Sequence, residues 1–261
     1  DIVFLFLNRY HTFKPCILLY KLYHIDKMLS TMKIKINSPS IVPIKLGLVN
    51  SFIVKGEKTV IVDTGYPGNA EKILRFLYKN LIKLEDVSLI ILTHAHPDHY
   101  GSAEELKTKT GAPIAIHRAD AEYLKEGINY IGTPIGLSAR ILKSFFIRAD
   151  ESISKSIKAD IVFDDDEDLL EFGIDGRIIH TPGHTDGSVS LVLSNGKAIV
   201  GDLMRGGMFF RKVPHYPLFV SDISRLKESI RKVIHLAPKV IYASHGGPFS
   251  PVDAQKLLKN Y

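Results

Sequence analysis

The run Thr93-His94-Ala95-His96-Pro97-Asp98-His99 packs three imidazoles and a carboxylate into six consecutive residues. It directly follows Ser88-Leu89-Ile90-Ile91-Leu92, an apolar stretch with the length and composition of a buried strand. The ligand-type side chains therefore sit on the loop at a strand end, a rigid base from which they can converge. Neutral imidazole nitrogen and carboxylate oxygen are donors that zinc and iron accept.

The rest of the chain reads as strands alternating with helices. Short apolar or alternating runs at 33–36, 41–46, 50–54 and 59–62 predict strands, with a hairpin turn at 55–58. Helical spacing of Ile73, Leu74, Leu77 and Leu81 predicts a helix over 68–80. After the histidine-rich loop come a helix at about 100–108, a strand at 113–117 and a helix at 118–125. Residues 127–160 break this alternation. There Ile135, Leu137, Ile141, Leu142, Phe145 and Phe146 form an apolar stripe at helical spacing, which reads as a helical insert. Strands follow at 161–163, 169–172, 177–180, 188–193 and 197–200, the last two joined by an Asn195-Gly196 turn of the kind favoured in type I′ hairpins. A helix at 221–235, a strand at 239–242 and a helix at 251–258 complete the pattern. The acidic run Asp164 to Asp168 reads as a solvated turn.

Three further donors follow predicted strands. His184 lies in Thr181-Pro182-Gly183-His184-Thr185, Asp202 in Gly201-Asp202, and His245 in Ser244-His245-Gly246-Gly247. Small residues beside each one let the backbone turn sharply and approach an ion. His117 and His180 also lie at strand ends and read as structural.

Composition bounds the function class. The single cysteine, Cys16, rules out an internal disulfide and a cysteine-based zinc site, and fits a reducing, cytoplasmic setting. A net charge of +6 suggests nucleic acid at first sight. Residues 1–48, however, carry seven Lys/Arg against two Asp/Glu, and residues 49–261 carry 27 against 26. The body is nearly neutral, so neither a nucleic-acid groove nor a membrane surface is expected as partner. Homo-oligomerisation is left open. Residue 1 is not Met, and residues 1–31 read as an N-terminal extension that need not be native. Residues 32–261 then form one domain.

The set His94-Ala95-His96-Pro97-Asp98-His99, His184, Asp202 and His245, preceded by Val62-Asp63-Thr64-Gly65, resembles the metallo-β-lactamase fold superfamily. Through Thr-Pro-Gly-His-Thr it is most similar to glyoxalase II-like hydrolases. The resemblance implies an α+β fold, a four-layer αββα sandwich, with the site at the sheet edges. It implies two divalent metal ions, with zinc expected and iron or manganese as alternatives. His94, His96 and His184 would hold one ion, Asp98, His99 and His245 the other, and Asp202 would bridge them. Asp63 would orient the loops from behind. The implied activity is hydrolysis of an ester-type bond (a thioester, lactone or similar acyl substrate) by a metal-bridging hydroxide, with Asp98 as catalytic proton acceptor or water orienter.

Departures narrow the class. Many zinc β-lactamases place Cys where Asp202 stands, and flavodiiron-type oxidases place Glu where His96 stands. Only 16 residues follow His245, too few for the helical domain that binds glutathione in classical glyoxalase II. A small-molecule acyl substrate other than a glutathione thioester is therefore expected. Phe145, Phe146, Met208, Phe209, Phe210, His215 and Tyr216 are candidates for an apolar acyl pocket. The alternative activities are a mononuclear iron persulfide dioxygenase using His94, His96 and His184 alone, and a metal-dependent phosphodiesterase.

Overall fold

The computed structural model describes residues 38–146, 155–207 and 211–259. In chain order the elements are strands β1 (Ser40–Lys45), β2 (Asn50–Lys55) and β3 (Thr59–Val62), helix α1 (Ala70–Lys79), strand β4 (Val87–Ile91), helices α2 (Pro97–Tyr100) and α3 (Ala103–Thr110), strand β5 (Ile114–His117), helix α4 (Arg118–Glu126), strand β6 (Thr133–Pro134) and helix α5 (Gly136–Phe146). Strands β7 (Ile161–Phe163), β8 (Glu167–Asp168), β9 (Gly176–His180), β10 (Val189–Leu193), β11 (Lys197–Ile199), β12 (Arg205–Gly206), β13 (Pro214–His215) and β14 (Phe219–Val220) follow. Helix α6 (Ile223–His235), strand β15 (Val240–Tyr242) and helix α7 (Pro251–Lys259) end the described chain. The predicted strand at 33–36 and residues 147–154 of the predicted insert lie outside the described residues.

Two sheets organise these elements. One has the order β1-β2-β3-β4-β5-β7, the other β15-β11-β10-β9-β8. Their inner faces meet in a layer that includes Phe52, Val60, Val62, Leu89 and Ile91 from the first sheet and Ile178, Val189, Leu191 and Ile199 from the second. The alternate residues Ile53, Ile61, Ile90 and Ile114 point the other way, onto Ile73 and Leu77 of α1, Leu106 of α3 and Leu124 of α4. On the far side Ile179, Ala198 and Ile241 pack on Leu226, Ile230 and Val233 of α6 and Leu257 of α7. Helices thus cover the outer face of each sheet, giving the αββα layering. Strands covered on both faces favour apolar side chains at successive positions, which is why residues 60–62 of β3 and 89–91 of β4 read as unbroken apolar runs. Each fully buried Leu or Ile contributes about 1.5–3 kcal/mol relative to exposure.

The topology fixes where a site can form. Strands β3, β4 and β5 run parallel to one another, as do β11 and β15. Strand β9 is antiparallel to β10, which is antiparallel to β11, so β9 and β11 point the same way. The C-terminal ends of β3, β4, β9, β11 and β15 therefore open on one edge. Loops there stitch the sheets together: Val189 N donates to Thr93 O (2.9 Å), and Asn50 N donates to Ser244 O (2.7 Å).

Several local expectations change. Residues 169–172 do not form a strand: Leu170–Phe172 is a 3₁₀ turn closed by Gly173 in the left-handed region (φ 75°). Leu169 and Ile174 still reach the inter-sheet core, but the turn between them exposes Leu170 and Glu171. The β10–β11 connection has three residues. Gly196 takes a positive φ of 84° and Asn195 does not, so the turn is the bulged three-residue hairpin rather than type I′. The helix expected at 100–108 starts at Ala103, after a separate turn of helix that Pro97 opens. In the insert Ala139 is buried, but Leu137 and Ile141 are mostly exposed, so the apolar stripe is not simply core. The acidic run is exposed, and its last two residues form the edge strand β8.

Gly183 links fold to site. Its φ is 133°, and a Cβ there would lie 2.3 Å from Leu226 N at the start of α6. Its carbonyl also accepts from Ser221 N and Asp222 N. Gly183→Ala is expected to cost about 2 kcal/mol or more in a urea melt, through strain and overpacking. A wild-type melting profile would contradict this reading of the Gly183–α6 contact.

Candidate metal centre

Five strand ends deliver the donors and the residue that holds them. The turn after β4 carries His94 and His96, and α2 carries Asp98 and His99. His184 follows β9, Asp202 follows β11, His245 follows β15, and Asp63 follows β3. The structure gathers all seven donor residues in overlapping groups, His94–His96–His184, His94–His99–Asp202 and Asp98–His99–His245, with the donor atoms of each group within 4.8 Å of one another. Asp202 lies between the two outer trios. Its carboxylate is 3.7 Å from His184 Nε2, 3.7 Å from His99 Nε2 and 3.4 Å from His245 Nε2. Asp98 lies 3.1 Å from His245 Nε2 and 3.6 Å from His99 Nε2.

The outer nitrogens of these histidines are held by fixed acceptors. His96 Nε2 meets Tyr130 O at 2.8 Å, His184 Nδ1 meets Phe219 O at 2.9 Å, and His245 Nδ1 meets Leu48 O at 3.0 Å. His99 Nδ1 meets Asp63 Oδ2 at 2.8 Å, and His94 Nδ1 lies 3.1 Å from Thr93 Oγ1. A carbonyl or carboxylate only accepts, so the hydrogen of each neutral ring facing one must sit on its outer nitrogen. Thr93 Oγ1 gives its own hydrogen to Asp63 Oδ2 and so accepts from His94 Nδ1, and the inner nitrogens of His94, His96 and His184, when neutral, present lone pairs to one another. His96 Nδ1 and His184 Nε2 face each other at 3.0 Å, and His96 Nδ1 and His94 Nε2 at 2.9 Å. Two such acceptors at hydrogen-bond distance require a positive charge between them.

The electrostatics are consistent. Burial and the neighbouring imidazoles hold His94 well below the usual histidine range, and burial with His96 brings His184 down to about 4. Burial opposes charge on His99 too, but the carboxylates of Asp98, Asp63 and Asp202 prevail and raise it to about 10. At His245 burial is likewise outweighed by Asp202 and Asp98. Burial would raise Asp98 and Asp202, and the surrounding imidazoles hold both below the ordinary carboxylate value. The two carboxylates thus stay ionised and draw positive charge to the centre of the cluster.

Whether an ion fits can be judged from the unpaired atoms. His99 Nε2 and Asp202 Oδ1 are buried with no hydrogen-bond partner among the described residues, and both belong to the donor set. An orphaned buried nitrogen and a carboxylate oxygen, among inward lone pairs, are satisfied together by divalent cations. The residues present fit the group.

The family model for the metallo-beta-lactamase superfamily matches residues 44–245. The chain belongs to this superfamily. It is 28% identical over 201 residues to Probable metallo-hydrolase MJ0888 of Methanocaldococcus jannaschii, covering 76% of this chain and 87% of that one. It is 30% identical over 216 residues to the metallo-beta-lactamase fold-containing protein ST1585 of Sulfurisphaera tokodaii, covering 80% and 76%. The crystal structure of the metallo-beta-lactamase family protein TTHA1429 from Thermus thermophilus superimposes with a TM-score of 0.61 at 23% identity, over 85% of this chain and 79% of that one. That likeness shows the superfamily fold.

Two buried carboxylates hold the centre in place. Asp63, in the left-handed region at φ 57°, is fully buried. It accepts from Thr93 N (2.8 Å), Thr93 Oγ1 (2.9 Å), His99 Nδ1 (2.8 Å) and Ser244 Oγ (3.0 Å), tying the ligand loops after β4 and β15 to one side chain. Asp120 in the first turn of α4 does the same on the other side, and sequence reasoning missed it. It accepts from Ala95 N (2.9 Å), Thr185 Oγ1 (2.8 Å) and Gly187 N (2.7 Å), joining the His94–His96 turn to the His184 loop. An acid in a helix's first turn is ordinary, so only its place three residues beyond a strand-end histidine hinted at more.

The pocket candidates fall in different places. Tyr216 is buried in the core beside α6 and α7, with its hydroxyl donating to Leu257 O at 3.3 Å, and His215 is exposed on β13. Met208, Phe209 and Phe210 lie outside the described residues. Phe145 and Phe146 end α5, and their side chains also lie outside the description. His117 and His180 stack ring on ring at 3.9 Å between the sheets. Exposed apolar groups beside the donors are instead Leu48 and Tyr130, whose carbonyls hold His245 and His96.

Asp120→Ala strands the buried N–H groups of Ala95 and Gly187 and leaves Thr185 Oγ1 with Ser188 Oγ. It is expected to cost about 2–4 kcal/mol of stability and to weaken zinc binding about 10–100-fold, as loss of an outer-shell partner does. Chelator competition beside urea melts checks both. Unchanged zinc affinity would show that the Asp120 contacts do not position the ligands.

Proposed function

We propose that the chain is a dinuclear metal hydrolase, with zinc as the working ion, acting on an ester-type acyl bond such as a thioester, lactone or simple ester. The observation that carries this is the convergence of seven donors in overlapping groups, His94–His96–His184 and Asp98–His99–His245, with Asp202 between them. The name of the M. jannaschii relative, a probable metallo-hydrolase, supports the same class.

The residues divide the work. His94, His96 and His184 would hold one ion, Asp98, His99 and His245 the second, and Asp202 both. Bound divalent ions supply Lewis acidity and bring the pKa of a coordinated water toward neutrality. Asp98, with 18% of its side chain exposed, faces the open side and is placed to orient water and take its proton. Fully buried Asp63 keeps His99 oriented and shields that contact from solvent. Half-exposed Tyr66 stands within the field of Asp98 and Asp202 and, with Leu48 and Tyr130, gives the approach an apolar character that suits an acyl chain. Helix α5 and residues 203–220 are the remaining candidates for the acyl wall.

The second trio is the observation that favours hydrolysis over a single-iron oxygenase. Asp98, His99 and His245 keep the burial, spacing and outer contacts of ligands, which a mononuclear centre does not need.

Zinc-loaded protein is expected to hydrolyse 4-nitrophenyl butyrate or an acyl thioester, and Asp202→Ala to lose at least about 100-fold while keeping its circular dichroism. Full activity in a folded Asp202→Ala variant would sink the dinuclear reading. Oxygen uptake with a persulfide, without esterase activity, would favour the iron reading.

Replacing both Phe145 and Phe146 with Ala is expected to raise KM for a long-chain ester more than for a short one. Equal changes for the two esters would remove the end of α5 from the acyl wall.

A further inference from the structure

Helix α4 is capped by an imidazole. His117 ends β5 and stands at the N-cap of α4, where its Nδ1 accepts from Ala119 N at 3.2 Å. Its Nε2 donates to Asp164 O at 2.7 Å, so the neutral ring carries its hydrogen on Nε2 and leaves Nδ1 to accept. His117 is buried, stacks on His180 at 3.9 Å and meets Phe163 edge-on at 5.8 Å. Helix N-caps are usually Ser, Thr, Asp or Asn, whose oxygens accept throughout the neutral pH range. An imidazole accepts only while it is neutral. A proton on Nδ1 sets one N–H against that of Ala119, places positive charge at the positive end of the α4 dipole, and brings it against a second imidazole. The groups facing the ring pull both ways. Asp120 on α4 and Asp164 beyond β7 favour the charged ring, though Arg118 pairs with Asp164, and His180 on β9 opposes it. Around His180 stand Asp166, held by Lys232, and Asp186, held by Arg225. Burial first, then His180, prevails and holds His117 below the usual histidine range.

We infer that His117 is a proton-sensitive positioning residue: by capping α4 it holds Asp120 in place, and Asp120 holds the turn of His94 and His96 against the loop of His184. Asp120 stands in the first turn of α4, the part of a helix that frays when its cap is lost. Its carboxylate ties Ala95 N to Gly187 N. The ring stack is a second tie, because His117 closes β5 of one sheet and His180 closes β9 of the other, four residues before His184. Acid thus reaches the His94–His96–His184 trio from behind, apart from protonation of the ligands themselves. The folded chain takes up the His117 proton less readily than the unfolded chain, whose ordinary value is 6.5. The stabilisation from the cap is complete above that pH and is lost as pH falls below it. The inference rests on the cluster binding metal, not on the bond it cleaves.

The test compares the wild type with His117→Asn, whose amide oxygen caps at either pH. Zinc affinity of the full chain is measured by chelator competition at about pH 7.5 and about pH 5.5, on either side of the histidine range. Urea melts of the metal-free chain accompany it at the same two values. Protonation of the ligands acts on both proteins alike and cancels in their ratio. On acidification the wild type is expected to lose about threefold to tenfold more zinc affinity than His117→Asn, and its urea midpoint to fall further. His117→Leu, uncapped at both values, should follow the pH dependence of His117→Asn while binding zinc more weakly. A wild-type-to-Asn affinity ratio unchanged by pH would overturn the inference, even if the urea midpoint moved, because the cap would then have no hold on the ligands. If His117→Asn fails to fold, NMR of the wild type decides. As the His117 ring titrates, amide protection of Ala119, Ala95 and Gly187 should fall together, and retained protection of Ala95 and Gly187 would overturn the inference. A chain that binds no zinc at the higher pH rejects the metal reading, and the same amide protection then still decides whether His117 holds Asp120.

Discussion

The centre depends on acceptors that stand behind the histidines. Tyr130 O, Phe219 O, Leu48 O and the Asp63 carboxylate cannot donate, so each fixes which nitrogen of a neutral ring carries hydrogen. The opposite nitrogens are turned inward, as lone pairs wherever the ring is neutral. The same contacts set ring orientation, so the donors converge without needing an ion to collect them. Such preorganisation lowers the cost of binding, because little side-chain freedom remains to be lost.

Those acceptors come from widely separated parts of the sequence, and the two-sheet architecture brings them together. Leu48 lies between β1 and β2, Tyr130 precedes β6, and Phe219 is in β14. The covered sheets supply rigidity, and the loops at one edge supply chemistry. Asp63 and Asp120 join the two halves. The first anchors the Thr93–His99 segment to the loop after β15, and the second anchors the His94–His96 turn to the loop after β9. Both carboxylates are fully buried, so their hydrogen bonds compete little with water.

Much of this was legible in the sequence because two-sided burial leaves a strong mark. Residues 60–62 of β3 and 89–91 of β4 read as continuous apolar runs, and residues between a strand end and a small residue were natural places to look for donors. The seven donors picked that way lie in one cluster. What escaped had weak local signals. Asp120 looks like any first-turn acid. The two-residue strands β12, β13 and β14 are too short for periodicity to register. Leu169 to Phe172 carries strand-like composition, but Gly173 permits a tight turn that exposes Glu171 and returns the chain to the core at Ile174. Tyr216 reads equally well as pocket or core from sequence, and only the packing of α6 and α7 around it decides. Most acceptors of the histidines are backbone carbonyls, and no residue type encodes those.

The most direct test of the central claim is the metal content of the chain, measured by elemental analysis on protein purified without added metal and again after dialysis against zinc. The account predicts about two divalent ions per chain, with zinc retained through gel filtration. A chain that holds no ion under saturating zinc would contradict it, because the inward lone pairs of His94, His96 and His184 would then have no cation to face.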